Sequence, residues 1–184
     1  MLIKNVLKKT AAIVGLDIDL DAENAALQKE VASLLEYADI VYNEIVADYF
    51  PLLCEEELYF DPTGCAELSG LGKNPLHIVS LRSGGANIKY TLFPSRIFAS
   101  DAKNVFLTVR YAYIPDRLTG IDDEVAGLLN VTERMFALGV AAEYCLANGM
   151  LNESLLYDRR FKDAMQSAAR KRGEIKIKRR RWIK

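Results

Sequence analysis

Between Ala22 and Phe50 apolar residues recur every three or four positions: Leu27, Val31, Leu34, Leu35, Ala38, Val41, Tyr42, Ile45 and Tyr49. That spacing predicts one amphipathic helix over 22–50. Asp21 stands where an N-cap would, with Asn24 three residues on, and Pro51 stops the helix. A shorter helix is expected over 2–14, ended by Gly15. From Cys54 to Ile114 the period falls to two. "LHIVSL", then Ser83-Gly84-Gly85-Ala86, then "NIKYTLF" reads as a hairpin with a glycine turn. "NVFLTVRYAYIP" sets Val105, Leu107, Val109, Tyr111 and Tyr113 on one face of a strand. These strands are joined by turns instead of crossover helices, so a small antiparallel sheet is expected at about 54–114.

The helical period returns after Ile121. Asp122, Asp123 and Glu124 suit the positive end of a helix dipole and Asn148-Gly149 is a stop, which predicts a helix over 122–148. Its Ala137, Gly139, Ala141 and Ala142 would let another helix come unusually close. A last helix over 152–170 has Leu155, Phe161, Met165 and Ala168 in register. The expected fold class is α+β, mainly α-helical: a helical bundle with a small antiparallel β insertion, forming a body over 1–172. An extended basic C-terminal arm follows at 173–184.

Composition changes this picture little. A chain of 184 residues, 51% hydrophobic and 27% charged, is an ordinary globular mix of about one domain. No apolar run approaches the roughly 18 residues that cross a bilayer, so no membrane partner is expected. "MLIKNVLKKTAAIVG" is too short in its apolar core and too rich in lysine for a signal peptide. Cys54, Cys65 and Cys145 form an odd, scattered set that suggests a reducing compartment.

Charge changes it more. Arg159 to Lys184 holds twelve Lys/Arg against Asp163 and Glu174, a net of +10, so the rest of this −1 chain is −11. Such asymmetry marks an interaction tail. Three readings of "KRGEIKIKRRRWIK" compete. A solvated end is the plainest. Nucleic-acid binding would use Arg179, Arg180 and Arg181 on phosphates, with Trp182 stacking. Docking into an acidic protein partner is favoured, because Ile175 and Ile177 alternate with Lys176 and Lys178, and Trp182 is the only tryptophan. The expected partner-binding residues are therefore Ile175, Lys176, Ile177, Lys178, Arg179, Arg180, Arg181, Trp182 and Ile183.

Catalytic chemistry is hard to assemble. His77 is the only histidine and sits inside a strand, where a structural role is the commoner one. Cys54 and Cys65 lack zinc spacing, and "LGK" at 71–73 lacks the pattern of a phosphate loop. Asp17, Asp19 and Asp21 lack the glycine and terminal glutamate of a calcium loop, and Glu55, Glu56 and Glu57 read as a solvated edge. No nucleophile, base and oxyanion donor come together. The expectation is a non-enzyme without metal or cofactor.

The order of elements, the strand "VRYAYIP" before an alanine-rich helix, and "ALGVAAEYCLANGMLNESLLYDRRFKDAM" resemble head-to-tail connector (adaptor) proteins of tailed bacteriophages. The likeness is sharpest from Val109 to Arg172. It implies a structural virion protein of the neck, assembled in the host bacterial cytoplasm as a homo-oligomeric ring of twelve subunits. It also implies a portal protein above the ring, a tail or stopper protein below, and DNA passing through without sequence-specific binding. The arm would dock on the portal or on a neighbouring subunit. The alternative class is a nucleic-acid-binding accessory protein that uses the basic tail.

Overall fold

The structure is a computed structural model that describes residues 1–18, 20, 25–125, 128 and 130–170. These fall into two units. One combines the described parts of Met1–Val41 and Leu118–Lys184, and the other is Tyr42–Arg117.

The first unit is helical. Helix α1 (Ile3–Val14) buries Ile3, Val6, Leu7 and Ala11. It ends where Gly15 turns left-handed, with φ of 80°, and returns its N–H to the Ala11 carbonyl. Helix α2 (Ala25–Glu44) belongs to this unit as far as Val41, and the single π turn that follows it at Ile45–Tyr49 belongs to the second. Helix α3 (Glu133–Ala147) begins at Thr132, whose hydroxyl accepts from the Met135 amide at 3.3 Å. It stops at Asn148 and a left-handed Gly149. Helix α4 (Leu151–Arg170) lays Phe161, Met165 and Ala168 inward. Two buried hydroxyls are satisfied by backbone: Thr10 donates to the Val6 carbonyl one turn back in α1 at 3.0 Å, and Ser154 of α4 ties to α3 by donating to the Ala142 carbonyl at 2.9 Å. Gly139 is the close-contact point, with Val41 and the Phe161 ring against its backbone.

The second unit is mostly sheet. Its strands are β1 (Leu52–Phe60), β2 (Cys65–Glu67), β3 (Pro75–Ser83), β4 (Ala86–Ile88), β5 (Thr91–Leu92), β6 (Arg96–Phe98) and β7 (Val105–Tyr113). They form a four-stranded sheet in the order β1-β7-β3-β4 and a three-stranded sheet in the order β2-β6-β5, with every pairing antiparallel. The β3–β4 hairpin turns on Gly84 and Gly85, both at positive φ, the primed geometry that follows strand twist. Alternation then does its work. Leu58, Phe60, Leu81, Leu107, Val109 and Tyr111 cluster with Ala66, Leu71, Ile97, Ala99 and Ala102 in one core.

Several expectations are corrected. The chain is not a mainly helical bundle: 45% is helix and 25% is strand in two antiparallel sheets. The cause is that 52–113 buries its own core, with strands as short as two residues completing the second sheet. The helix expected over 122–148 starts only at Glu133. Its supposed first-turn acid Asp123 instead closes a turn, its carboxylate accepting from the amides of Thr119 and Gly120 at 2.7 and 2.9 Å, and Glu124 bridges to Leu2. Leu155, expected inward, is 69% exposed.

Candidate functional site

Pairing along β1 places alternate residues on opposite faces. Cys54, Glu56, Leu58 and Phe60 share the face of Tyr111 and Val109, and Leu53, Glu55, Glu57 and Tyr59 share that of Arg110 and Phe106.

On the inner face Glu56 is a clamp. Its carboxylate accepts from the Gly72 amide at 2.7 Å, the Tyr111 hydroxyl at 2.8 Å and the Cys54 thiol at 3.5 Å. Tyr111 in turn accepts from the Lys73 amide at 3.2 Å. The Gly72 amide is the main cause that holds the Glu56 carboxyl below its ordinary range; burial opposes it and the Tyr111 hydroxyl adds to it. Burial first, and then Glu56, push the Tyr111 phenol far up. Nearby, Lys73 is held charged by its hydrogen bond with Asp116 at 2.8 Å and lies 5.8 Å from the Tyr113 ring centroid. Tyr42 is pushed to about 12, by burial and then by Tyr113 and Asp116. A phenol that resists ionisation and an acid held ionised by fixed donors make a structural latch, not a proton-transfer pair. The segment 61–74 is therefore tied down. Asp61 fastens its other end, accepting from the Thr63 and Cys65 amides at 2.8 and 2.9 Å.

Glu56→Ala is expected to destabilise the protein by about 1–3 kcal/mol, because the buried Tyr111 hydroxyl loses its acceptor. The native latch has a signed pH dependence. Its contribution is complete above the unfolded carboxylate range near ~4.3 and disappears as pH falls through the lower folded value. Denaturant unfolding of the wild type and of Glu56→Gln across pH 2–6 checks this, and identical pH slopes would refute it.

The outer face is open. Glu55 meets Arg110 at 3.5 Å, the Tyr59 and Phe106 rings lie tilted at 52° with centroids 5.1 Å apart, and Phe106 is 63% exposed. β1 is also a sheet edge. Among the described residues, Leu52–Phe60 pairs through its backbone with β7 alone. A nine-residue edge carrying exposed Leu53 and Tyr59 is a template for another strand. Between β3 and the end of β5, a groove of about 380 Å³ is lined by Leu76, His77, Ile78, Leu92 and Phe93. His77 is exposed on β3, opposite Ala112 in register.

The sequence-derived partner-binding residues, Ile175 to Ile183, lie outside the described residues, as do Asp19 and Asp21. Among the described residues no three His, Cys, Asp or Glu side chains gather as a metal site, and no helix is long and apolar enough to cross a membrane. Cys54 and Cys65 are free thiols on β1 and β2. What sequence reasoning missed is Glu56, whose only signal was that an acid sat at an inward position of an alternating strand. The chain matches no protein-family model and no curated protein.

Proposed function

We propose that this protein is a non-enzymatic structural subunit that assembles with copies of itself into a ring. The particular ring is the head-to-tail connector of a tailed bacteriophage virion, seated under a portal protein and passing DNA to a tail or stopper protein. The observation that carries self-assembly is the open β1 edge, flanked by the exposed side chains of Leu53, Tyr59 and Phe106. Unsatisfied strand edges and clustered apolar surface are features that monomeric proteins avoid. The connector assignment is supported by the sequence likeness over Val109–Arg172. In a ring the contacts are heterologous, one patch of each subunit meeting a different patch of the next.

Electron microscopy and light scattering of the purified full chain, alone and with portal proteins, test the reading. Closed rings that bind a portal are the expected result, and a strict monomer that ignores every portal overturns it. Duplex DNA binding with a steep salt slope, lost on deletion of residues 179–184, would move the assignment to the nucleic-acid-binding class.

A further inference from the structure

We propose that the C-terminal segment Ile177–Ile183 of one copy adds as an antiparallel strand to the edge of β1, Leu52–Leu58, in a neighbouring copy. The inference rests on the ring reading above for the presence of a neighbour, and names the surface that receives the arm.

The edge and the arm match at six of seven positions, Arg181 opposite Cys54 being the exception. β1 reads Leu-Leu-Cys-Glu-Glu-Glu-Leu, apolar at both ends with three consecutive acids inside. Read backwards from Ile183, the arm is Ile-Trp-Arg-Arg-Arg-Lys-Ile, apolar at both ends with cations between. Laid antiparallel, Ile183 falls opposite Leu52 and Trp182 opposite Leu53. Arg180, Arg179 and Lys178 fall opposite Glu55, Glu56 and Glu57, and Ile177 falls opposite Leu58. Directly opposed unlike charges and apolar pairs are the stabilising units of a sheet, and like charges there are destabilising.

Pleating sorts these pairs by face. Trp182, Arg180 and Lys178 share the open face of Leu53, Glu55 and Glu57, where charge and aromatic area meet exposed partners. The match also fixes register. A slip of two residues one way sets Trp182 against Glu55, and the other way sets Ile177 against Glu56; a slip of one exchanges the faces. The backbone hydrogen bonds are supplied by the edge, whose Leu52–Phe60 groups have no backbone partner beyond β7 among the described residues. The mode is strand addition, in which main-chain bonds give affinity and alternate side chains give specificity.

Two measurements on the full chain test this. The first is a charge exchange. Glu55→Lys with Glu57→Lys, or Lys178→Glu with Arg180→Glu, should each weaken self-association at low salt by about tenfold or more, and all four together should restore it to within about threefold. Glu56 is left alone because it holds Gly72 and Tyr111. The second uses Cys54, which falls opposite Arg181. Arg181→Cys should form a disulfide between copies on mild oxidation, visible as a ladder on a non-reducing gel and abolished by Cys54→Ser. Rescue together with the ladder supports the proposal. A bridge formed only within single chains overturns docking on a neighbour. Rings that form without either effect overturn the strand pairing and leave the ring reading intact, whereas a protein monomeric throughout removes both.

Discussion

Replacing Gly139 by leucine is expected to prevent stable folding of the helical unit. A Cβ at this position would sit 2.6 Å from Val41 Cγ1 and 3.1 Å from two carbons of the Phe161 ring. Val41 is a buried β-branched residue with one favoured helical rotamer, and Phe161 is 1% exposed, so neither has anywhere to turn. Alanine already separates the competing effects. In a helix interior it gains about 1 kcal/mol over glycine, while overpacking costs about 1–3 kcal/mol. Gly139→Ala should therefore be neutral to destabilising by about 2 kcal/mol. Leucine adds three further carbons and should cost more than about 5 kcal/mol, much of the stability an ordinary domain has. Far-UV circular dichroism with urea titration reads both variants. A Gly139→Ala protein clearly more stable than wild type would show that α3 does not depend on bare backbone there.

The second large effect is expected at Gly64. Its φ is +85°, and a Cβ would lie 2.5 Å from the Ala99 carbonyl oxygen and 3.3 Å from that of Ala102. The obstacle is backbone, and Ala99 is itself fixed by its amide donating to the Gly64 carbonyl at 2.8 Å. Gly64→Ala should cost about 2–4 kcal/mol, from left-handed strain of roughly 1–2 kcal/mol plus the clash. Gly84 is the control. It is also left-handed, at +52°, but nothing lies within 4 Å of its would-be Cβ, so Gly84→Ala should cost only about 1 kcal/mol. Equal losses at the two sites, measured by chemical denaturation, would mean that conformation alone matters and the contact with Ala99 does not.

These two glycines mark what the sequence could and could not disclose. Local signals were readable: Gly15 and Gly149 as helix ends, Gly84-Gly85 as a turn, and the alternation of Val105 to Tyr113. Gly139 was readable as a small residue in a small-residue helix, though not which side chains press on it. Strands such as Thr91–Leu92 and Cys65–Glu67 are shorter than any period needs to show itself, which is why the sheet content was underestimated. The acids at 122–124 imitate a helix start because a turn-closing aspartate and a first-turn aspartate have the same local composition. Leu155 belongs to an apolar stripe that periodicity reveals without saying whether protein or solvent faces it. Within the candidate site, Glu55 and Glu57 were legible as exposed acids. Glu56 was not, since its partners Gly72 and Tyr111 reach it only through tertiary folding.

The pairing of the two longest strands bears on how the chain reaches its native state. Leu52 and Tyr113 are directly opposed at one end of the β1–β7 ladder, so the sheet unit receives and releases the chain at neighbouring points. The helical unit is discontinuous: Asn5 of α1 bonds Glu133 of α3 across 128 residues. In an unfolded chain that separation is a long loop, whose closure entropy opposes the meeting of α1 and α3. Once the sheet unit has formed, the Leu52–Tyr113 stretch acts as a closed staple and the effective loop shrinks to its remainder. The sheet unit is contiguous and is translated before α3, at about 5–20 residues per second, so it has seconds in which to close first. Loosening β1 from β7 is then expected to slow the meeting of α1 and α3, by lengthening the tether between them.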